Sequence, residues 1–242
     1  MDRVIQYLEV GFSSPKIPAD LDNYQIAFIS DTHYLPEETL RGIVDELNHR
    51  ELDLIVFGGD VAIAADTSNT VEILSHLKSV DGIYGVEGNH DNYALLFAAM
   101  EKFGMKPLSN SGEQIRPGFF LAGVEDLWRR NPDISLAIAG SKPEDFVLLL
   151  AHNPDLTMQQ DTSKVDLVLS GHTHGGEITF LGLWAPILAH SDYISEYGQR
   201  FQSGWSQARD GTPVFVSNGL GVHTIRVFAR PQVILLTLIH QG

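Results

Sequence analysis

Seven residues of metal-ligating type fall in five short polar motifs, and each motif directly follows an apolar run. Asp31 and His33 follow the run 24–30. Asp60 follows the run 54–57 and a glycine pair. Asn89 follows 82–86, His152 follows 146–150, and His172 and His174 follow 165–169. In extended backbone, residues i and i+2 face the same way about 6.6 Å apart. Asp31 can therefore converge with His33, and His172 with His174, which the same spacing on a helix would prevent. Imidazole, carboxylate and amide carbonyl are donors for a divalent cation. Asp31, His33, Asp60, Asn89, His152, His172 and His174 are too many for one tetrahedral zinc. They suit two ions about 3.5–4 Å apart sharing a carboxylate, and Asp60, isolated behind Gly58-Gly59, is the natural bridge. Mixed nitrogen and oxygen donors favour Mn²⁺, Fe or Zn²⁺ over Mg²⁺ or Ca²⁺. Taken singly, Asp60 and Asn89 read as turn residues, His152 as a core histidine, and Asp91 as a helix cap.

The elements that must deliver these residues can be read from periodicity. Strands are expected at 4–10, 24–30, 54–57, 82–86, 118–124, 146–150, 165–169, 178–181, 213–217, 225–228 and 233–239. Helices are expected at about 36–50, 70–78, 92–103 and 133–139, with a short turn after Pro154. The first helix carries Leu40, Ile43, Val44 and Leu47 on one stripe and opens on Pro36-Glu37-Glu38. Strand–helix alternation gives way to mostly strands after about residue 105. This predicts two packed sheets with helices outside, in a single domain over 1–242. Each motif would then stand at a strand's carboxyl end, where α/β folds gather ligands.

Composition narrows the function. Apolar residues make up 43% and charged residues 19% of the 242, ordinary for a globular protein. No cysteine is present, so thiolate sites and disulfides are excluded. The net charge of −15, with no basic run, argues against a nucleic-acid surface. An acidic protein still binds phosphate if cations reverse the field locally. No run reaches transmembrane length and the first ten residues carry no signal-peptide pattern. A cytoplasmic location is therefore expected, with peripheral membrane contact left open.

The ordered set Asp-x-His (31–33), Gly-Asp (59–60), Gly-Asn-His-Asp (88–91), His152 and Gly-His-x-His (171–174) resembles the calcineurin-like metallophosphoesterase superfamily. The tail, through Gly175-Gly176-Glu177, 217–221 and 226–231, is similar to a bacterial branch of it. The resemblance implies a four-layer αββα sandwich of two mixed β-sheets, with a dinuclear site at the strand C-terminal ends. One ion would be held by Asp31, His33, Asp60 and His174, the other by Asp60, Asn89, His152 and His172. A metal-bridging hydroxide would attack a phosphate ester, a diester in preference to a monoester. His90 would protonate the leaving oxygen, oriented by Asp91. The implied partner is a phosphorylated small molecule. Alternatives are a pyrophosphatase for a lipid-linked sugar nucleotide of the UDP-2,3-diacylglucosamine type, and a non-catalytic scaffold that keeps the metal site. Many of that branch carry an N-terminal anchor, which is not expected here, and some differ at Asn218 and Gln232. Outside the motifs, Trp128-Arg129-Arg130 reads as a surface loop, Arg226 and Arg230 as partners of acids, and the apolar loop 181–188 as core or lid packing. His190 and His223 fall in the tail, where either could face substrate.

Overall fold

Ile26 and Phe28 belong to one core cluster and Ala27 and Ile29 to another, although the four alternate along one strand. Leu54 and Val56 part from Ile55 and Phe57 in the same way, and Phe146, Leu148 and Leu150 part from Val147 and Leu149. Such strands are buried on both faces and need a covering layer on each side.

The structure, a computed structural model, describes residues 4–62, 67–186, 195–221 and 226–242. Its strands are β1 (Gln6–Ser14), β2 (Tyr24–Ile29), β3 (Leu54–Gly58), β4 (Ile83–Val86), β5 (Lys106–Pro107), β6 (Ser111–Arg116), β7 (Phe119–Gly123), β8 (Phe146–Leu150), β9 (Leu167–Ser170), β10 (Gly204–Gln207), β11 (Pro213–Val216) and β12 (Gln232–His240). Its helices are α1 (Glu37–Asn48), α2 (Thr67–Leu74), α3 (Tyr93–Lys102), α4 (Ile134–Ala137) and α5 (Leu156–Gln159). The strands form two six-stranded sheets, ordered β1-β12-β2-β3-β4-β5 and β10-β11-β9-β8-β7-β6. Both are mixed. In the first, β2, β3, β4 and β5 run parallel and β12 pairs antiparallel to β2. In the second, β7, β8, β9 and β11 run parallel between antiparallel β6 and β10.

Three apolar clusters separate four layers. Phe28, Tyr84, Phe119, Phe146 and Leu169 fill the space between the sheets. The outer face of the first sheet is covered by Leu40, Ile43 and Leu47 of α1, Val71 and Leu74 of α2 and Leu96 of α3. Ile134, Ala137, Leu156 and Phe201 cover the second. The molecule is therefore the expected αββα sandwich. Among the described residues no helix is long and apolar enough to cross a membrane.

Two expectations about elements are corrected. Ile178 and Phe180 make isolated bridges only, not a strand, because the φ of +65° at Gly175 and +50° at Glu177 turns the chain just before them. Helix α3 is capped by Asn92, whose side chain accepts the Leu95 N–H at 3.2 Å, rather than by Asp91. The expected strand 225–228 lies partly outside the described residues.

Candidate metal centre

Because β2, β3 and β4 are parallel, the loops that follow them leave one edge of the first sheet. The loops after β8, β9 and β11 leave one edge of the second. These edges meet. The His172 N–H donates to Asp31 Oδ1 at 3.1 Å, and His152 Nδ1 lies 2.7 Å from the Gly58 carbonyl. The backbone bends sharply to bring the side chains in: Asp31, His33, Asp60, His172 and His174 all have φ between +44° and +71°. Left-handed backbone at a residue with a side chain costs of order 1–3 kcal/mol, and such residues cluster at functional sites. Here five of them share one site.

Asp31, His33, Asp60 and His174 are buried and offer donor atoms all within 4.8 Å of one another. His33 Nε2 and His174 Nε2 are 3.1 Å apart, and His174 Nε2 is 3.4 Å from Asp31 Oδ1. A second group adjoins the first. Asn89 Oδ1 lies 3.1 Å from His152 Nε2 and 2.9 Å from His172 Nδ1. Asp60 Oδ2 stands between the groups, 3.5 Å from His33 Nε2 and 3.4 Å from His152 Nε2. The structure thus brings together all seven residues that the sequence singled out.

The donor chemistry fits cations. A carbonyl can only accept, so His152 Nδ1 carries a proton for Gly58, and its Nε2, which faces the oxygens of Asp60 and Asn89, is the nitrogen placed to ligate an ion. Ligands about 2.1 Å from a common ion stand roughly 3–3.5 Å apart, matching the spacings above. Electrostatics point the same way. Burial pushes the Asp31 and Asp60 carboxyls up, but His174 beside Asp31 and His152 beside Asp60 outweigh it and hold both well below the usual carboxylate range. Burial lowers His152, and the Asp60 charge raises it well above the usual imidazole value. The cluster holds its carboxylates ionised and draws positive charge.

Around the cluster, Gly88 and Gly171 are required by close approach. A Cβ on Gly88 would meet Asp60 Oδ1 at 2.3 Å, and one on Gly171 would meet Asp31 Oδ2 at 2.3 Å. His90 is exposed, its ring 5.4 Å from that of His33 and its backbone N–H donating to Asp60 Oδ1 at 2.8 Å. The Asp91 carboxylate accepts backbone N–H groups from Val61, Ala62 and Gly88 at 3.3, 3.1 and 2.9 Å. Burial, followed by the charge of Asp60, pushes Asp91 up to about 7. The loop after β11 closes the far side, with the Leu220 N–H donating to the Ser30 carbonyl at 3.1 Å. Arg226 donates to backbone carbonyls of that loop, Asn218 at 2.7 Å among them.

Two features were missed in the sequence. Trp128 and Arg129 stand at the site: the Trp128 ring centroid is 4.5 Å from that of His172, and Arg129 Nε donates to the Asn89 carbonyl at 3.1 Å. They too follow a buried strand, β7, so the strand-end rule that picked the other motifs would have found them. The apolar loop is not core. Phe180, Leu181 and Leu183 are 67%, 60% and 80% exposed, although Ala185 is buried. His190, His223 and residues 187–188 lie outside the described residues.

Comparison with known proteins agrees with this geometry. Residues 24–176 match the profile of the calcineurin-like phosphoesterases. Over 97% of its length the chain is 30% identical to the metallophosphoesterase YkuE of Bacillus subtilis (strain 168), covering 86% of that protein. It is 28% identical to a transmembrane protein with a metallophosphoesterase domain from Danio rerio, over 96% of this chain but only 56% of the relative. It is also 28% identical to the phosphodiesterase YaeI of Escherichia coli (strain K12), over 89% of this chain and 82% of YaeI.

Proposed function

The chain belongs to the calcineurin-like phosphoesterase family, and from that membership we propose that it hydrolyses phosphate esters with two divalent transition ions, Mn²⁺, Fe or Zn²⁺, preferring diesters to monoesters. The observation that carries the two-ion reading is the position of Asp60 Oδ2, within 3.5 Å of His33 Nε2 and 3.4 Å of His152 Nε2. Asp31, His33, Asp60 and His174 would hold one ion, and Asp60, Asn89, His152 and His172 the other. Bound there, the ions supply an acidified water as nucleophile and positive charge for the phosphoryl oxygens.

The chain's own residues then do the rest. His90, exposed at the rim and anchored through its N–H to Asp60, delivers a proton to the leaving oxygen when its ring is protonated. Asp91 positions His90 through the backbone, since its three N–H contacts fix the turn 88–91 against the loop that carries Asp60. Burial of Asp31 and Asp60 excludes water from the donors and strengthens their hold on charge. Likeness to a named phosphodiesterase, YaeI, supports the diester preference.

Initial rates on bis-p-nitrophenyl phosphate and on p-nitrophenyl phosphate, with added Mn²⁺, test the reading. Faster turnover of the diester is expected. Faster turnover of the monoester would reverse the preference, and hydrolysis of neither would remove the function. A second reading draws on the exposed Phe180, Leu181 and Leu183. It is cleavage of a pyrophosphate in a lipid-linked sugar nucleotide such as UDP-2,3-diacylglucosamine, and that compound belongs in the same assay.

A further inference from the structure

The loop that follows β7 reaches the same rim as the metal-type donors. Asp126, 1% exposed, builds it: Oδ1 accepts the N–H of Trp128 at 3.0 Å and of Arg129 at 2.9 Å, and its carbonyl accepts that of Arg130 at 3.0 Å. Arg130 is occupied with structure, paired to Glu125 and lying 3.8 Å over the Tyr93 ring. Its two neighbours stand against the centre instead. The Trp128 ring meets that of His172 edge-on at 89°, and the residue stays 42% exposed. Arg129 is exposed and tied by Nε–H to the Asn89 carbonyl at 3.1 Å. Among the described residues no carboxylate oxygen lies within 4.0 Å of its guanidinium, in a chain with 31 acidic and 16 basic residues.

A guanidinium carries five N–H donors in a planar fork that matches paired phosphoryl oxygens. Arg129 uses one of the five on Asn89, which holds the fork beside the residues at 89–90. An indole at the rim offers a flat apolar face on which a planar group can stack. We propose that Trp128 and Arg129 form the substrate shelf of this site. Arg129 takes the non-bridging oxygens of the phosphoryl group, and Trp128 packs against a planar organic group attached to it. The substrate class is then a phosphate ester bearing an aromatic ring or a nucleobase. This rests on the function proposed above.

Phosphonates that cannot be hydrolysed test the shelf without turnover. Calorimetric titration of the Mn²⁺-loaded protein with methylphosphonate and with phenylphosphonate reads the two contacts separately. The wild type should bind phenylphosphonate about fivefold or more tightly than methylphosphonate. Trp128→Ala should remove that difference and leave methylphosphonate within about twofold. Arg129→Ala should weaken both about tenfold or more, and Arg129→Lys should recover only part of it. Metal content should not change in any variant. Trp128→Phe, which keeps a ring against His172, should retain most of the phenyl preference. Equal affinity of the wild type for the two phosphonates, binding of neither, or affinities indifferent to both substitutions would overturn the proposal. So would loss of metal from the Trp128 variants, which would make the ring a support for His172 alone. A wild type that shows the expected pattern yet hydrolyses no ester would instead overturn the proposed function and leave the shelf standing.

Discussion

At the scale of the residue, the roles proposed for His90 and Asp60 match their difference in exposure. Asp60 is 1% exposed and its two carboxylate oxygens point to different partners, Oδ1 to the His90 N–H and Oδ2 to the imidazoles of His33 and His152. His90 is exposed, its ring 5.4 Å from that of His33, where an imidazole can reach a leaving group at the rim. Substituting His90 by alanine should therefore leave the metal content intact. Turnover of a diester with a poor, alkyl leaving group should fall about a hundredfold or more, while the nitrophenolate ester, which needs little protonation, should lose far less. Equal loss on both would take the proton transfer away from His90. Residue types and their order were legible at this scale. The left-handed backbone at Asp31, His33, Asp60, His172 and His174 was not, because only the closeness of two sheets, invisible in a linear sequence, forces those turns.

At the scale of the element, loops act as rigid brackets. Gly59 has φ +90°, and a Cβ there would lie 2.6 Å from His152 Nδ1 and 2.8 Å from the Glu87 carbonyl. Gly59→Ala combines strain of about 1–3 kcal/mol with displacement of His152 from Gly58. Both a lowered melting temperature and weakened metal retention are expected, read by calorimetry and elemental analysis of the same sample. An unchanged metal content would mean that the bracket tolerates a side chain. On the far side of the second sheet, Asp210 ties the β10–β11 turn to the loop before β9, accepting the N–H and hydroxyl of Thr162 at 2.7 Å each. Burial raises this carboxyl, but the contacts with Thr162 and Thr212 outweigh it and bring it down to about 2. A depressed folded value gives stability that is present above the unfolded value near 4 and is lost as pH falls through about 2. Asp210→Asn should thus cost, after solvent screening, on the order of 1 kcal/mol in urea unfolding at pH 7. That difference should narrow toward pH 2–3, and a gap independent of pH would place the effect elsewhere. Elements buried on both faces, such as β2, β3 and β8, were plain from their apolar runs. The missed strands β5, β6 and β10 are all at or beside sheet edges, where solvent replaces one neighbour and the sequence is polar: Ser111–Arg116 is exposed at five of six positions.

At the scale of the whole molecule, the two sheets contribute different donors. Asp31, His33, Asp60 and Asn89 come from loops of the first, and His152, His172 and His174 from loops of the second. The inter-sheet core of Phe28, Phe119, Phe146 and Leu169 sets their separation, so the αββα architecture is a condition for the site as well as a frame for it. The architecture was legible because strand–helix alternation and then strand after strand leaves few ways to bury two-sided strands. The exposure of Phe180, Leu181 and Leu183 was not, since hydropathy alone does not tell an apolar loop under cover from one on the surface. The most direct measurement of the central claim, two ions sharing Asp60, is the metal content per chain of protein purified without chelator and saturated with Mn²⁺, beside that of Asp60→Ala. Close to two ions in the wild type and close to none in the variant is the expected result. A single ion in the wild type, or two retained without Asp60, would contradict it.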